Sequence, residues 1–138
     1  MIERYSREET AKIWDLNSKF NYYLKVELAV CDAYAKLGTI PKEAAEEIRK
    51  KATFSVERID EIEKEVRHDV IAFLTCVNES LGDLGRYVHV GLTSSDVIDT
   101  AFALQIQDSG KIILEDLNKT INTLKQLAKK HKQTICIG

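Results

Sequence analysis

Chain breakers are scarce in this sequence. Pro41 is the only proline among 138 residues and glycine occurs six times, far from the proline- and glycine-rich composition of disordered chains. Cysteine is scarce too. Cys31, Cys76 and Cys136 are an odd number, widely separated, without the close pairs that zinc sites bring. Cys31 and Cys76 fall on apolar helix faces and read as small core residues of a reducing compartment, so no metal or redox role is expected. No run approaches the length of a membrane span, and Met1-Ile2-Glu3-Arg4 lacks an apolar core of signal-peptide length. A soluble, cytoplasmic protein without a membrane partner is the expectation. Excess charge is also missing: 20 Lys and Arg oppose 22 Asp and Glu, for a net charge of −2. The two signs are interspersed, which leaves no basic stripe for nucleic acid. Any anionic ligand must be held by a local site.

What is present suits one modest helical unit with a real core: 44% of residues are hydrophobic and 30% charged. Residues 1–5 read as a short extended lead carrying Arg4 and Tyr5, followed by Ser6-Arg7-Glu8-Glu9, a capping-box pattern that opens a helix to about Trp14. A guanidinium fork beside a phenol suits a phosphate, although both residues also suit an ordinary surface. Asp15 or Asn17 caps a second helix to about Leu37, with Leu16, Phe20, Tyr23, Leu24, Leu28, Cys31 and Ala35 on its apolar stripe and Gly38 at its end. The aromatic members read as core. Pro41 fits the start of a third, mostly solvated helix to about Ala52. Ser55 caps a fourth, and its apolar pattern breaks at Arg67-His68-Asp69. Asp69 reads as the cap of a fifth helix closing at Gly82.

Arg67, His68 and Asp69 therefore occupy a junction between helices. There the carboxylate can fix an imidazole tautomer while the arginine faces an anion. An unremarked cap and its hydrogen-bonded neighbour fit the same residues. The stretch from Gly82 to Leu92 reads as an irregular loop. It brings His89 near the next helix start, either as a ligand contact or as a buttress of the loop. Thr93, Ser94 and Ser95 then supply hydroxyls and unpaired amides where a long helix begins. Such a start binds anions, yet Ser94 or Ser95 could equally serve as a plain cap, with Asp96 and Asp99 complementing the helix dipole. From about Ser94 to Lys132 the helical pattern is continuous, which implies a rod of roughly 55–60 Å. Its first half is apolar nearly all round. Its second half carries a seam of Leu114, Leu117, Ile121, Leu124 and Ala128. So long a helix needs partner surface from other chains or from further sequence.

The string His89-Val90-Gly91-Leu92-Thr93-Ser94-Ser95-Asp96-Val97-Ile98-Asp99-Thr100 resembles the first signature region of the fumarase/aspartase superfamily. Arg4-Tyr5 and Arg67-His68-Asp69 narrow the likeness to the adenylosuccinate lyase family, over the whole length of the chain. The resemblance implies an all-α fold: a small helical N-terminal domain, residues 1–93, and then the first long helix of a superfamily helical bundle, residues 94–138. It implies an elimination of fumarate from a succinylated purine nucleotide, without a cofactor, in a homotetramer. Arg4, Tyr5, Arg67, His68, Asp69, His89, Thr93 and Ser94 would bind substrate. His68 would have a positioning and protonation role, with Asp69 beside it. The family's general-acid histidine and basic serine belong to segments that come after Gly138, so residues 1–138 alone are expected to be inactive. Two rivals remain: another superfamily lyase of the carboxymuconate cycloisomerase type, and a non-catalytic helical module that docks a partner helix.

Overall fold

The computed structural model describes residues 2–135 and 137–138, with Glu3 described by its backbone alone; Cys136, one of the three cysteines, lies outside the described residues. Six α-helices follow one another without a strand among the described residues: α1 Glu8–Ile13, α2 Leu16–Leu37, α3 Lys42–Lys51, α4 Val56–Val66, α5 Asp69–Leu81 and α6 Ser94–Lys130. The start departs from the sequence reading. Glu3–Tyr5 forms a 3-10 turn rather than an extended lead. Ser6 does not cap α1, because its hydroxyl turns back to the carbonyl of Ile2, 2.9 Å away, and leaves Arg7 at the cap position.

Helix α2 is the spine. Asp15 caps it by accepting the Ser18 N–H at 2.6 Å. Gly38, with φ +76°, ends it in the left-handed conformation that glycine adopts without a steric penalty. Its buried face is Phe20, Tyr23, Val26, Glu27, Cys31 and Ala35; of the expected stripe, Leu24 and Leu28 are half-buried and Leu16 is exposed, while Val26 and one acid, Glu27, take places inside. Helix α5 is buried on nearly all sides, through Val70, Ala72, Phe73, Leu74, Cys76, Val77 and Leu81. The two helices meet at an aromatic cluster. Phe20 stacks on Phe73 at 5.7 Å between ring centroids, and Tyr23 and Phe54 meet Phe73 edge-on at 5.6 Å and 6.1 Å. Burial of this aromatic surface adds to that of the aliphatic core around it. Helix α4 packs along α5, and α3 along α2.

Helix α6 has 37 residues, about 56 Å at 1.5 Å per residue, close to the length read from the sequence. Its N-terminal half lies along α2, where Tyr22 donates to Asp108 at 2.7 Å, and against α1, where Gln105 donates to the Ile13 carbonyl at 2.9 Å. Only Val97, Ala101 and Gln105 of this helix are buried. Ile98 and Leu104 are half-buried against the core, whereas Phe102, Ile106 and the apolar residues from Ile113 onward stay exposed in the single chain.

Candidate active site

The loop between α5 and α6 begins as a 3-10 helix, Gly82–Tyr87, where the sequence suggested irregular chain. From there it runs back along α2. Cys31 Sγ donates to the Tyr87 carbonyl at 3.6 Å, and the Tyr34 hydroxyl donates to the Val90 carbonyl at 3.0 Å. Gly91, at φ +72°, has the Tyr34 oxygen only 3.0 Å from where a Cβ would stand. These contacts deliver His89 over the middle of α2, directly above Glu27.

Glu27 is 1% exposed. One of its oxygens accepts the His89 backbone N–H at 3.0 Å, and the other meets His89 Nδ1 at 2.6 Å. A buried carboxylate without partners would cost several kcal/mol, and here one residue supplies both donors. His89 itself sits at φ +63°, a conformation that costs a non-glycine residue about 1–2 kcal/mol. A carboxylate oxygen can only accept, so Nδ1 carries the proton. The other ring nitrogen, Nε2, has no protein partner among the described residues and is not buried.

Past Gly91 the chain turns into α6, and Thr93 rather than Ser94 or Ser95 occupies the cap position. Asp96 Oδ2 accepts both the Thr93 N–H, at 2.7 Å, and the Thr93 hydroxyl, at 3.0 Å. The Thr93 amide holds the Asp96 carboxyl below the ordinary carboxylate range, the Thr93 hydroxyl adds to this, and the nearby His89 ring adds a further small part. Thr93 is occupied by this internal carboxylate. The hydroxyls of Ser94 and Ser95, and the first two amides of the helix, have no protein acceptor among the described residues.

The junction before α5 differs from its sequence reading in one respect. His68, not Asp69, is the cap: its Nδ1 accepts the Ile71 N–H at 3.4 Å. Asp69 Oδ1 accepts the Val70 N–H at 2.8 Å and lies 3.7 Å from His68 Nδ1, beyond hydrogen-bond reach. Asp69 therefore does not fix the His68 tautomer; the Ile71 amide does, by leaving the proton to Nε2. Asp69 faces α2 instead, 3.9 Å from Lys19 Nζ. Burial, and secondly the charge of Asp69, push the Tyr23 hydroxyl up to about 12. Between α2, α5 and α6 lies an open groove of about 380 Å³ lined by Lys19, Tyr23, Asp69, Asp99, Trp14 and Phe102. Arg67 ends α4 in the left-handed conformation, φ +53°, with its side chain exposed.

The spine accounts for what comes together. Lys19, Tyr23 and Glu27 occupy successive turns of α2 and touch or face Asp69 at one end and His89 at the other, about 12 Å apart along the helix. Arg4 and Tyr5 do not join them. They form a pair of their own, with the Arg4 guanidinium 4.8 Å from the Tyr5 ring centre. The neighbouring Arg7 is bound to Asp116, which the helical rise places about 33 Å from Ser94. Glu27 and Lys19 escaped the sequence reading. The available signal for Glu27 was its place at helical spacing between Tyr23 and Cys31, a charged residue in an apolar stripe.

A family model described as lyase matches residues 3–138. The chain belongs to this lyase family. It is 55% identical over 138 residues to the adenylosuccinate lyase of Synechocystis sp. and 47% identical over 138 residues to that of Bacillus subtilis; in each match all of the chain is covered. The chain spans about a third of the length of these curated relatives, 32% in both cases. Among solved structures, a fumarate lyase from Mesorhizobium sp. superposes with a TM-score of 0.86 at 26% identity, over 94% of this chain and 31% of the other. The β-carboxy-cis,cis-muconate cycloisomerase of Acinetobacter calcoaceticus gives 0.76 at 25% identity, over 90% and 31%. The described residues thus carry the all-α architecture of a lyase-family N-terminal region.

Proposed function

We propose that this lyase chain is the N-terminal part of an enzyme that eliminates fumarate from adenylosuccinate, giving AMP, and from the succinylated aminoimidazole carboxamide ribotide of purine synthesis. The observation that carries the reading is the match over all of this chain to adenylosuccinate lyases at about twice the identity found with the muconate cycloisomerase, combined with a helix mouth whose open donors suit a carboxylate. In the elimination, negative charge spreads onto the succinyl carboxylate as the proton leaves the adjacent carbon. Donors that grip this carboxylate harder in the transition state speed the reaction. Ser94, at the start of α6, is such a donor; Thr93 joins it when Asp96 yields.

His89 presents Nε2 beside that mouth, and His68 and Asp69 hold and orient the substrate from the start of α5, with Arg67 next to them. Arg4 and Tyr5 take a phosphate. Because their neighbour Arg7 pairs with Asp116, about 33 Å along α6 from Ser94, one chain does not close a site around the phosphate pair and the mouth of α6. The complete site draws on more than one copy, in a homotetramer whose central bundle begins with residues 94–138. The acid and base of the elimination come from outside residues 1–138, and activity belongs to the full-length, cytoplasmic protein. No cofactor takes part. The test is turnover by the purified full-length protein: fumarate is released from adenylosuccinate, and carboxymuconate is not converted to its lactone. The opposite preference would select the cycloisomerase reading.

A further inference from the structure

We infer that Glu27 is a positioning residue for His89, which ties Nδ1 inward and thereby presents Nε2 at the mouth of α6. The inference rests on the reading that a succinylated nucleotide is worked on at that mouth. Among the described residues that are buried, Glu27 alone carries a charge, and no partner but His89 meets its two oxygens. The loop does not need this acid to hold its course. Tyr34 holds Val90, Cys31 holds Tyr87, and the Leu92 N–H reaches the His89 carbonyl at 3.4 Å. Glycine at position 89 over an apolar residue at position 27 would give the same backbone without a left-handed histidine or a buried carboxylate.

What Glu27 adds beyond those anchors is control of the imidazole. Both of its acceptors are used, one on the backbone and one on Nδ1. The ring can therefore neither turn nor exchange its tautomer without breaking a buried bond. The ring is 19% exposed, and Nε2 is the nitrogen left to meet a ligand. In the neutral ring this nitrogen is an acceptor, and in the charged ring it is a donor.

Glu27→Gln separates positioning from buttressing. In the full-length variant, the carboxamide satisfies both neighbours in one orientation: its oxygen takes the His89 N–H and its NH2 donates to Nδ1. The loop stays anchored while the ring proton moves to Nε2. With ¹⁵N-labelled histidine, the nuclear magnetic resonance spectrum of neutral His89 should show the unprotonated nitrogen at Nε2 in the wild type and at Nδ1 in the variant. Turnover of adenylosuccinate should fall at least tenfold, mainly in kcat, with the unfolding midpoint nearly unchanged, and Glu27→Gln should cost nothing further in a His89→Gln background. A wild-type ring protonated at Nε2 would overturn the inference, as would a variant with the exchanged tautomer and full turnover. If the wild type releases no fumarate, the proposed function fails, and the tautomer measurement still decides what Glu27 does.

Discussion

Three residues of this site carry conformational or electrostatic costs that stability alone would remove. Arg67 and His89 sit at positive φ, and Glu27 is an acid in the core. Strain gathered in this way is characteristic of functional sites. His68 shows how a cap and a ligand contact can be told apart. Its Nδ1 accepts the Ile71 N–H, and an asparagine side chain can do the same. His68→Asn should therefore keep the unfolding midpoint within a few degrees while it lowers kcat/KM at least tenfold. His68→Ala should lose the cap as well, at about 1 kcal/mol, measured by denaturant unfolding. Asp96 gives a pH signature. Its carboxyl is harder to protonate in the folded chain than in the unfolded one. Its charge-dependent contribution is thus complete above the unfolded value of about 3.9 and fades as the pH falls through the lower folded value. The difference in unfolding midpoint between wild type and Asp96→Asn should be open at about pH 6 and close in that acid window.

At the scale of elements, most of the fold was legible because its punctuation is chemical. Asp15, Ser55, Gly38 and Gly82 end or begin helices where their side chains or backbone freedom demand it. The departures arise where two local solutions compete. Ser6 finds the Ile2 carbonyl before it can cap α1. His68 reaches the Ile71 amide ahead of Asp69, whose own carboxylate is drawn to Val70 and Lys19. Thr93 takes the cap of α6 because Asp96, three residues on, locks it there. The carboxylate–imidazole pair expected at positions 68 and 69 is made instead by Glu27 and His89, 62 residues apart. No spacing rule joins residues so distant; only the return of the loop along α2 does. The motif at the start of α6 was readable as a string, whereas its support from α2 was not.

Over the whole molecule, the unfinished feature is α6. Beyond its contact with α1 and α2 it projects Ile113, Leu114, Leu117, Ile121, Leu124 and Leu127, each at least 46% exposed. So large an apolar face on one helix marks an interaction surface, in keeping with the central bundle proposed above. Leu117→Glu combined with Ile121→Glu should split the full-length oligomer in sedimentation velocity and abolish turnover, while the helical content of the N-terminal unit persists. An unchanged oligomer would place the subunit contacts elsewhere. The measurement that bears most directly on the account is the rate of fumarate release from adenylosuccinate by the full-length protein, wild type against Ser94→Ala. Since Thr93 holds the cap, the alanine variant should unfold at nearly the wild-type midpoint and yet lose at least tenfold in kcat. Undiminished release by the variant, or none by the wild type, would contradict a carboxylate-gripping role for the mouth of α6.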